Sequence, residues 1–391
     1  MSLRNDAIYK KFLEIKGFLQ DKFIGKNEDI YVILLSLIAK QHCLLIGPPG
    51  TAKSAIISML VRMFNVPYFE YLLTKFTRDI EIFGSVDFKK LREEGVVVFN
   101  TKNKLPEAKI CFLDEVFKAS SVILNTLLTI LSERKFYNGP NVQKVPLHSA
   151  FLASNELPPP EAGLGAFVDR LLMKHYTKYI EPELWEEYLA RYWELHLPKT
   201  YQQIPRYDFQ IIDYLHSKVY EVDFSNIKKS LVDLLRKLSN NNIVISDRTK
   251  GRILFGIASN AVYFGRTEAV EKDLYVLKYV TAVTENVTTT EDMKEQINLV
   301  EQIIIDMIGK EEKAVREIEE LIPQLKAIRD KIKQLDDINE IIKYIDNLKT
   351  IKYRLSQYEV YKSDKVIKKI NEARQIINEI NDILKEKVVI G

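Results

Sequence analysis

Residues 47–54 read Gly47-Pro48-Pro49-Gly50-Thr51-Ala52-Lys53-Ser54, directly after the apolar run Cys43-Leu44-Leu45-Ile46 and before the helix-like stretch that starts at Ala55. A buried strand that enters a glycine-rich turn ending in Lys-Ser, and then a helix, can hold a nucleoside triphosphate. The backbone N–H groups of the turn curl around the phosphates, and the helix N-terminus adds its positive end. On this reading the binding residues run from Gly47 to Ala55, Lys53 reaches the outer phosphates, and the Ser54 hydroxyl is a ligand of Mg²⁺. The second glycine of the G-x-x-x-x-G-K-[ST] pattern is here Ala52, so the pattern taken alone also admits a plain strand–turn–helix connection.

A phosphate cradle needs a metal and a way to activate water. The run Lys109-Ile110-Cys111-Phe112-Leu113 ends in Asp114-Glu115. As a central strand of a parallel sheet it would deliver both carboxylates beside the phosphate loop. Asp114 then holds Mg²⁺, directly or through water, and Glu115 polarises the attacking water. A third run, His148 to Ser154, ends in Asn155, an amide able to hold the water or the terminal phosphate in line. The same residue could equally start the turn before Pro158-Pro159-Pro160. Arg170, in Val168-Asp169-Arg170, is the candidate guanidinium for charge developing on a neighbouring subunit's phosphate, with Arg134 as second candidate. Ser246 or Asp247 can cap a helix whose first turn carries Arg248. A cation there opposes the helix dipole, which hints at an anionic partner.

In this order the motifs resemble the AAA+ ATPase plan, and within it the MoxR family, most closely its RavA branch. Further residues carry the resemblance: Phe69–Phe76, Phe83-Gly84, Leu105–Ala108, Phe112–Val116, Ile123–Leu128, Ala153–Pro158 and Ile245–Arg248. It spans about 23–287, and alanine at the position of Ala52 is typical of the family. The resemblance implies ATP and Mg²⁺ as cofactors, with Lys53 and Ser54 as loop lysine and metal hydroxyl. It makes Asp114 and Glu115 the metal and water-activating carboxylates, Asn155 the first sensor, Arg170 the trans-acting finger and Arg248 the second sensor. It further implies a homo-oligomeric ring, a hexamer in the family's manner, that remodels or matures protein clients in a chaperone-like way, commonly with a von Willebrand factor A domain partner. The β-rich partner-binding module of RavA-like chains has no counterpart in the sequence.

The elements that must position these residues follow from pattern. The expected fold class is α/β: an AAA+ P-loop three-layer domain with a parallel sheet (1–180), carrying an N-terminal amphipathic helix and a hairpin insertion near 84–105. An all-α lid (181–290) follows, which would close over the nucleotide and carry Arg248 to it, and then an antiparallel helical coiled-coil extension (291–391). In the lid, Trp185, Tyr188, Leu189, Tyr192 and Trp193 form an aromatic stripe that reads as core. In the extension, Ile318, Leu321, Leu325, Ile328, Ile332 and Leu335, and again Val366, Ile370, Ala373, Ile377, Ile380 and Leu384, repeat every 3.5 residues on average. Breaks are expected at Asp336-Asp337 and Ser363-Asp364, with Ser363 an N-cap, and Pro323 either kinks or starts a helix.

Composition bounds the rest. Apolar residues make up 46% and charged residues 28%, which fits a soluble globular protein, and 57 Lys and Arg against 54 Asp and Glu leave a net charge of only +3. So even a balance argues against a protein that coats nucleic acid. A nucleic-acid-stimulated motor remains the alternative function, and it predicts salt-sensitive DNA binding. Cys43 and Cys111 both fall in predicted buried strands, as free thiols in a reducing cytoplasm do. No run has the length of a membrane span, and the N-terminus lacks a signal peptide's apolar core, so cytoplasmic location is expected.

Overall fold

The computed structural model describes residues 3–158, 163–196, 204–308, 310–335, 338–358 and 364–390. Nine strands occur among them: β1 (Cys43–Ile46), β2 (Tyr68–Leu72), β3 (Ser85–Val86), β4 (Phe99–Asn100), β5 (Ile110–Asp114), β6 (Lys135–Asn138), β7 (Asn141–Lys144), β8 (Ser149–Ser154) and β9 (Met173–Tyr176). Five of them form one sheet in the order β2-β5-β8-β1-β9, with every pairing parallel. β1 and β8 are buried along their whole length, because helices cover both faces. Alternate residues divide between the layers: Leu44, Ile46, Cys111, Leu113, Ala150 and Leu152 share one core with Ile123, Leu127 and Ile130 of the helix Ser121–Glu133. The helices Asn27–Ile38 and Lys53–Phe64 pack on the sheet as well. The thiols of Cys43 and Cys111 are both free and buried, and burial pushes each up to about 12.

The insertion near 84–105 differs from the expected hairpin. Only Ser85↔Asn100 and Val86↔Phe99 pair, and the two short strands enclose a helix, Phe88–Glu94. Asp87 caps that helix by accepting from the N–H groups of Lys89 and Lys90, at 3.0 and 3.2 Å, and Gly95 ends it at φ 68°. Val96-Val97-Val98 follow that helix without strand structure, and the Asp87 N–H donates to the Val98 carbonyl at 2.7 Å. A hairpin does occur where none was expected, at β6–β7, turned by Gly139 at φ 63°.

The chain divides into two compact units, 1–180 with 195–301 and 181–194 with 302–391, so the predicted lid does not form a body of its own. In the first unit the helix Asp247–Tyr263 is tied by Asp273, which is fully buried. Its carboxylate accepts from both terminal nitrogens of Arg266 (2.8 and 2.7 Å), Asn260 Nδ2 (2.8 Å) and the Val270 N–H (2.8 Å). Removing one side of such a buried pair costs about 3–5 kcal/mol. Asp273→Ala is therefore expected to lower unfolding stability by about that amount in chemical denaturation, and a loss below about 1 kcal/mol would show that this network does not hold the helix.

The second unit corrects two expectations. Helix Trp185–His196 begins within it, and Lys343 Nζ donates to Glu194 Oε1 at 3.3 Å. Its stripe is not core, since Trp185, Leu189 and Trp193 are 55%, 64% and 70% exposed. Three long helices follow, Lys310–Gln334 with Pro323 inside it, Ile338–Ser356 and Asp364–Ile390. The heptad residues from Ile318 to Ile332 and from Ile370 to Ile380 are buried together with Leu348, Ile351 and Leu355 of the middle helix. Leu335 is half-buried and Leu384 packs at the edge of this core. The pairs Glu319–Lys369 and Glu379–Arg329 both advance in the same direction, so the first and third helices run parallel and pack directly on each other, while the middle one returns along the first. Asp336-Asp337, Ser363 and the side chain of Val366 lie outside the described residues.

Candidate nucleotide site

The three motifs predicted to cooperate emerge at the same end of the sheet. β1 pairs with β8 in the register Ile46↔Ser154, the Gly47 N–H donates to the Ser154 carbonyl at 3.2 Å, and β5 lies on the other side of β8 with Leu113↔Leu152. The loop is shaped by backbone that few residues adopt. Gly47 has φ 153°, and a Cβ there would lie 2.3 Å from the Thr177 carbonyl oxygen, so only glycine fits. Ala52 stands at φ 66° as N-cap of the helix Lys53–Phe64. This is the place of the pattern's second glycine, and the left-handed conformation costs an alanine about 1 kcal/mol. The loop thus keeps the geometry that the glycine would provide.

Lys53 is 8% exposed, and its ammonium donates to the carbonyls of Gly47 (2.7 Å) and Pro48 (3.0 Å) and to Thr51 Oγ1 (3.4 Å). Burial lowers its pKa below the usual lysine range, against the pull of Asp114 and Glu115. A buried cation whose contacts are neutral oxygens suits an incoming anion. Opposite it, Asp114 closes β5 and Glu115 turns out of the strand at φ 53°. Asn155 Nδ2 donates to Glu115 Oε1 at 2.5 Å, and Lys118 Nζ lies 3.3 Å from Glu115 Oε2. Asn155 thus touches the second acid of the Asp-Glu pair. The donor set of Ser54 and Asp114 offers hard oxygens beside a phosphate cradle, as Mg²⁺ requires.

The predicted cations stand elsewhere. Gln41 and His42 precede β1, whereas the loop follows it, six residues on or roughly 20 Å at a strand's rise of ~3.3 Å per residue. Arg252 Nε donates to Gln41 Oε1 at 3.0 Å, and Arg248, one turn earlier on the same helix, donates to Asp169 Oδ2 at 3.3 Å. Arg248 consequently does not reach its own chain's loop, contrary to the expected lid closure. Ser246 caps its helix as expected and donates to Asp169 Oδ1 at 2.6 Å, joined by Thr249 at 2.9 Å. Burial tends to raise the Asp169 carboxyl, yet these two hydroxyls and nearby cations hold it below the usual range. Arg170 lies at this same end, its Nε on Ser132 Oγ and its Nη1 on the Ala166 carbonyl, both at 2.6 Å. The other candidate, Arg134, is turned inward onto the carbonyls of Leu147, His148 and Leu131 and onto His42 Nε2. So placed, Arg134 is part-buried against the backbone, whereas Arg170 lies nearer the surface. Sequence reasoning missed Lys118, which bears on Glu115, and Arg252, whose spacing of four from Arg248 was the available signal.

The parallel order β2-β5-β8-β1-β9, with its loop and acid pair at adjacent strand ends and helices on both faces, defines an AAA+ α/β domain joined to a helical C-terminal region. Residues 10–216 match the family described as "MoxR domain in the MoxR-vWA-beta-propeller ternary systems", and the chain belongs to the MoxR family of ATPases. An uncharacterized protein of Methanocaldococcus jannaschii is 38% identical over 319 residues, 82% of this chain and 80% of that one. Chaperone MoxR1 of Mycobacterium tuberculosis is 26% identical over 192 residues, 47% of this chain and 48% of its own length. A crystal structure of a candidate ATPase from Cytophaga hutchinsonii shares the fold with a TM-score of 0.60 at 16% identity, covering 76% of this chain and 94% of that one.

Proposed function

We propose that the protein is a Mg²⁺-dependent ATPase that works as a ring, with each nucleotide held between two subunits. The observation that carries this reading is the separation of the machinery: cradle and acids at one end of β1, Arg170 and Arg248 at the other. A single chain cannot bring both to one triphosphate, whereas a head-to-tail ring does so at every interface. Gly47 to Ala55 would bind the phosphates through loop amides, and Lys53 would exchange its carbonyl contacts for the outer phosphates. Ser54 and Asp114 would hold the magnesium ion, which when bound neutralises charge between the phosphates. Glu115 polarises the attacking water, and the amide of Asn155 fixes the orientation of that carboxylate. Arg170 and Arg248 serve the adjacent subunit.

Ring closure as a hexamer, client remodelling in a chaperone-like way, a von Willebrand factor A domain partner and a place near the RavA branch complete the proposal. The motifs and the family membership support them. Among the described residues no helix is long and apolar enough to cross a membrane, and a cytoplasmic site of action is proposed with this.

The site is tested by titrating ATP and Mg²⁺ into the protein and into Lys53→Ala. Hydrogen bonds to a charged group contribute about 1.5–3 kcal/mol each, so affinity should fall by at least ten- to a hundredfold in the variant. Equal affinity in the two proteins would remove the loop from the argument.

A further inference from the structure

Behind Arg170 and Arg248 the surface opens into a cavity of about 460 Å³. This lies within the range of small-molecule sites. Among the described residues its lining carries the cationic side chains Lys40, Arg134, Arg170, Arg248 and Arg252 and no carboxylate. Asp169, the acid that touches this group, is committed to Ser246, Thr249 and Arg248. Arg252 leans on the neutral Gln41 side chain, at 3.0 and 2.5 Å, and on the Asp169 backbone carbonyl at 3.4 Å. Among the described residues the hydrogen-bond acceptors of Arg134 are the carbonyls of Leu147, Leu131 and His148, and His42 Nε2 lies beside it. His42 Nδ1 accepts from the Ala150 N–H, which leaves its proton on Nε2, and burial with Arg134 beside it keeps the ring neutral. Burial first, then repulsion from Arg252, brings Arg134 down to about 10, and burial with repulsion from Arg248 and Arg170, against the attraction of Asp169, brings Arg252 to about the same value.

Neutral oxygens satisfy the N–H groups of Arg134 and Arg252, and the single Asp169 carboxylate faces several cations in a half-enclosed space, where like charges repel. A dianion would relieve this, and the planar guanidinium is suited to bind phosphoryl oxygens. We propose that this cavity is a second anion site of the chain, taking the phosphoryl group of a small free ligand independently of the loop beyond Ile46, with Arg252 and Lys40 as its direct contacts. Arg134 acts as a positioning residue, since its nitrogens are already engaged with the backbone.

The phosphoryl group could come from a free ligand or from the nucleotide of an adjacent subunit, and the experiment separates the two. Inorganic pyrophosphate is titrated by calorimetry into full-length Lys53→Ala, whose loop is disabled, at a dilution where sedimentation shows single chains. Saturable binding of one pyrophosphate per chain is expected, weakened at least tenfold when Arg252→Met is added and restored in part by Arg252→Lys, with the thermal unfolding midpoint unmoved. No saturable binding, or binding indifferent to Arg252→Met, would overturn the proposal. Protection of these arginines seen only in assembled rings, and only when the neighbour has an intact Lys53, would also overturn it, assigning the cavity to the neighbour's triphosphate while leaving the ring ATPase reading in place.

Discussion

Glu115→Gln is expected to bind ATP as tightly as the unaltered protein and to hydrolyse it at least a thousandfold more slowly. A positioned general base contributes about 10²–10⁴-fold, and a thousandfold corresponds to about 4 kcal/mol of barrier. The substitution keeps the shape of the side chain and its ability to accept from Asn155 Nδ2, so the loop and Asp114 are undisturbed and binding should persist. What is lost is the second charged oxygen, the one that polarises water. In the free chain that oxygen, Oε2, faces Lys118 at 3.3 Å. Lys118 is 61% exposed, and an exposed pair of this kind contributes at most about 1 kcal/mol, so it cannot stand in for a water-activating role. Single-turnover rates and ATP affinity measured on the same preparation decide the matter. A variant that still turns over within tenfold of the parent would mean that another group activates water.

The geometry around the glycine-rich loop was legible because its signals are local. Gly47, Lys53, Asp114, Glu115 and Asn155 each sit at the tip of a short apolar run, and in a parallel sheet strand tips on one edge must meet. The apolar runs also identify the three central strands β5, β8 and β1, whereas the edge strands β2 (Tyr68-Phe69-Glu70-Tyr71-Leu72) and β9 (Met173-Lys174-His175-Tyr176) carry no continuous apolar run. The heptads identify the C-terminal core, although the parallel relation of its first and third helices needs the charge pairs between them. What escaped prediction depends on long-range placement. Arg248 has the same first-turn position and the same Ser246 cap whether its helix closes over the loop or packs at the far end of β1. Only the Asp169 and Gln41 contacts, some 80 and 210 residues distant in sequence, decide between them. The stripe from Trp185 to Trp193 has core periodicity, but periodicity shows that a face is apolar and says nothing of whether this chain covers it. At 84–105 the hairpin reading rested on the β-branched run and passed over the Asp87 and Gly95 caps, a local signal for the helix that precedes that run.

The distance between cradle and guanidinium leads to the other large effect. Arg170→Ala is expected to leave ATP affinity within a few-fold of the parent and to lower turnover by about 10³–10⁵, the range that a finger arginine supplies in phosphoryl transfer. In the single chain Arg170 is held by Ser132 and the Ala166 carbonyl, contacts that a neighbour's phosphate can replace without strain on the fold. Arg170→Lys should rescue little, since one ammonium cannot replace a planar fork. The decisive arm mixes two inactive proteins. A subunit with Arg170→Ala retains its loop, and a subunit with Lys53→Ala retains its arginine. In rings assembled at random from equal amounts, about a quarter of the head-to-tail interfaces pair an intact loop with an intact arginine. Turnover should therefore return on mixing, to about a quarter of the parent rate if interfaces act independently and less if they are coupled around the ring. A finger acting within its own chain gives no recovery at any ratio, and that result would refute the shared site on which the ring mechanism rests.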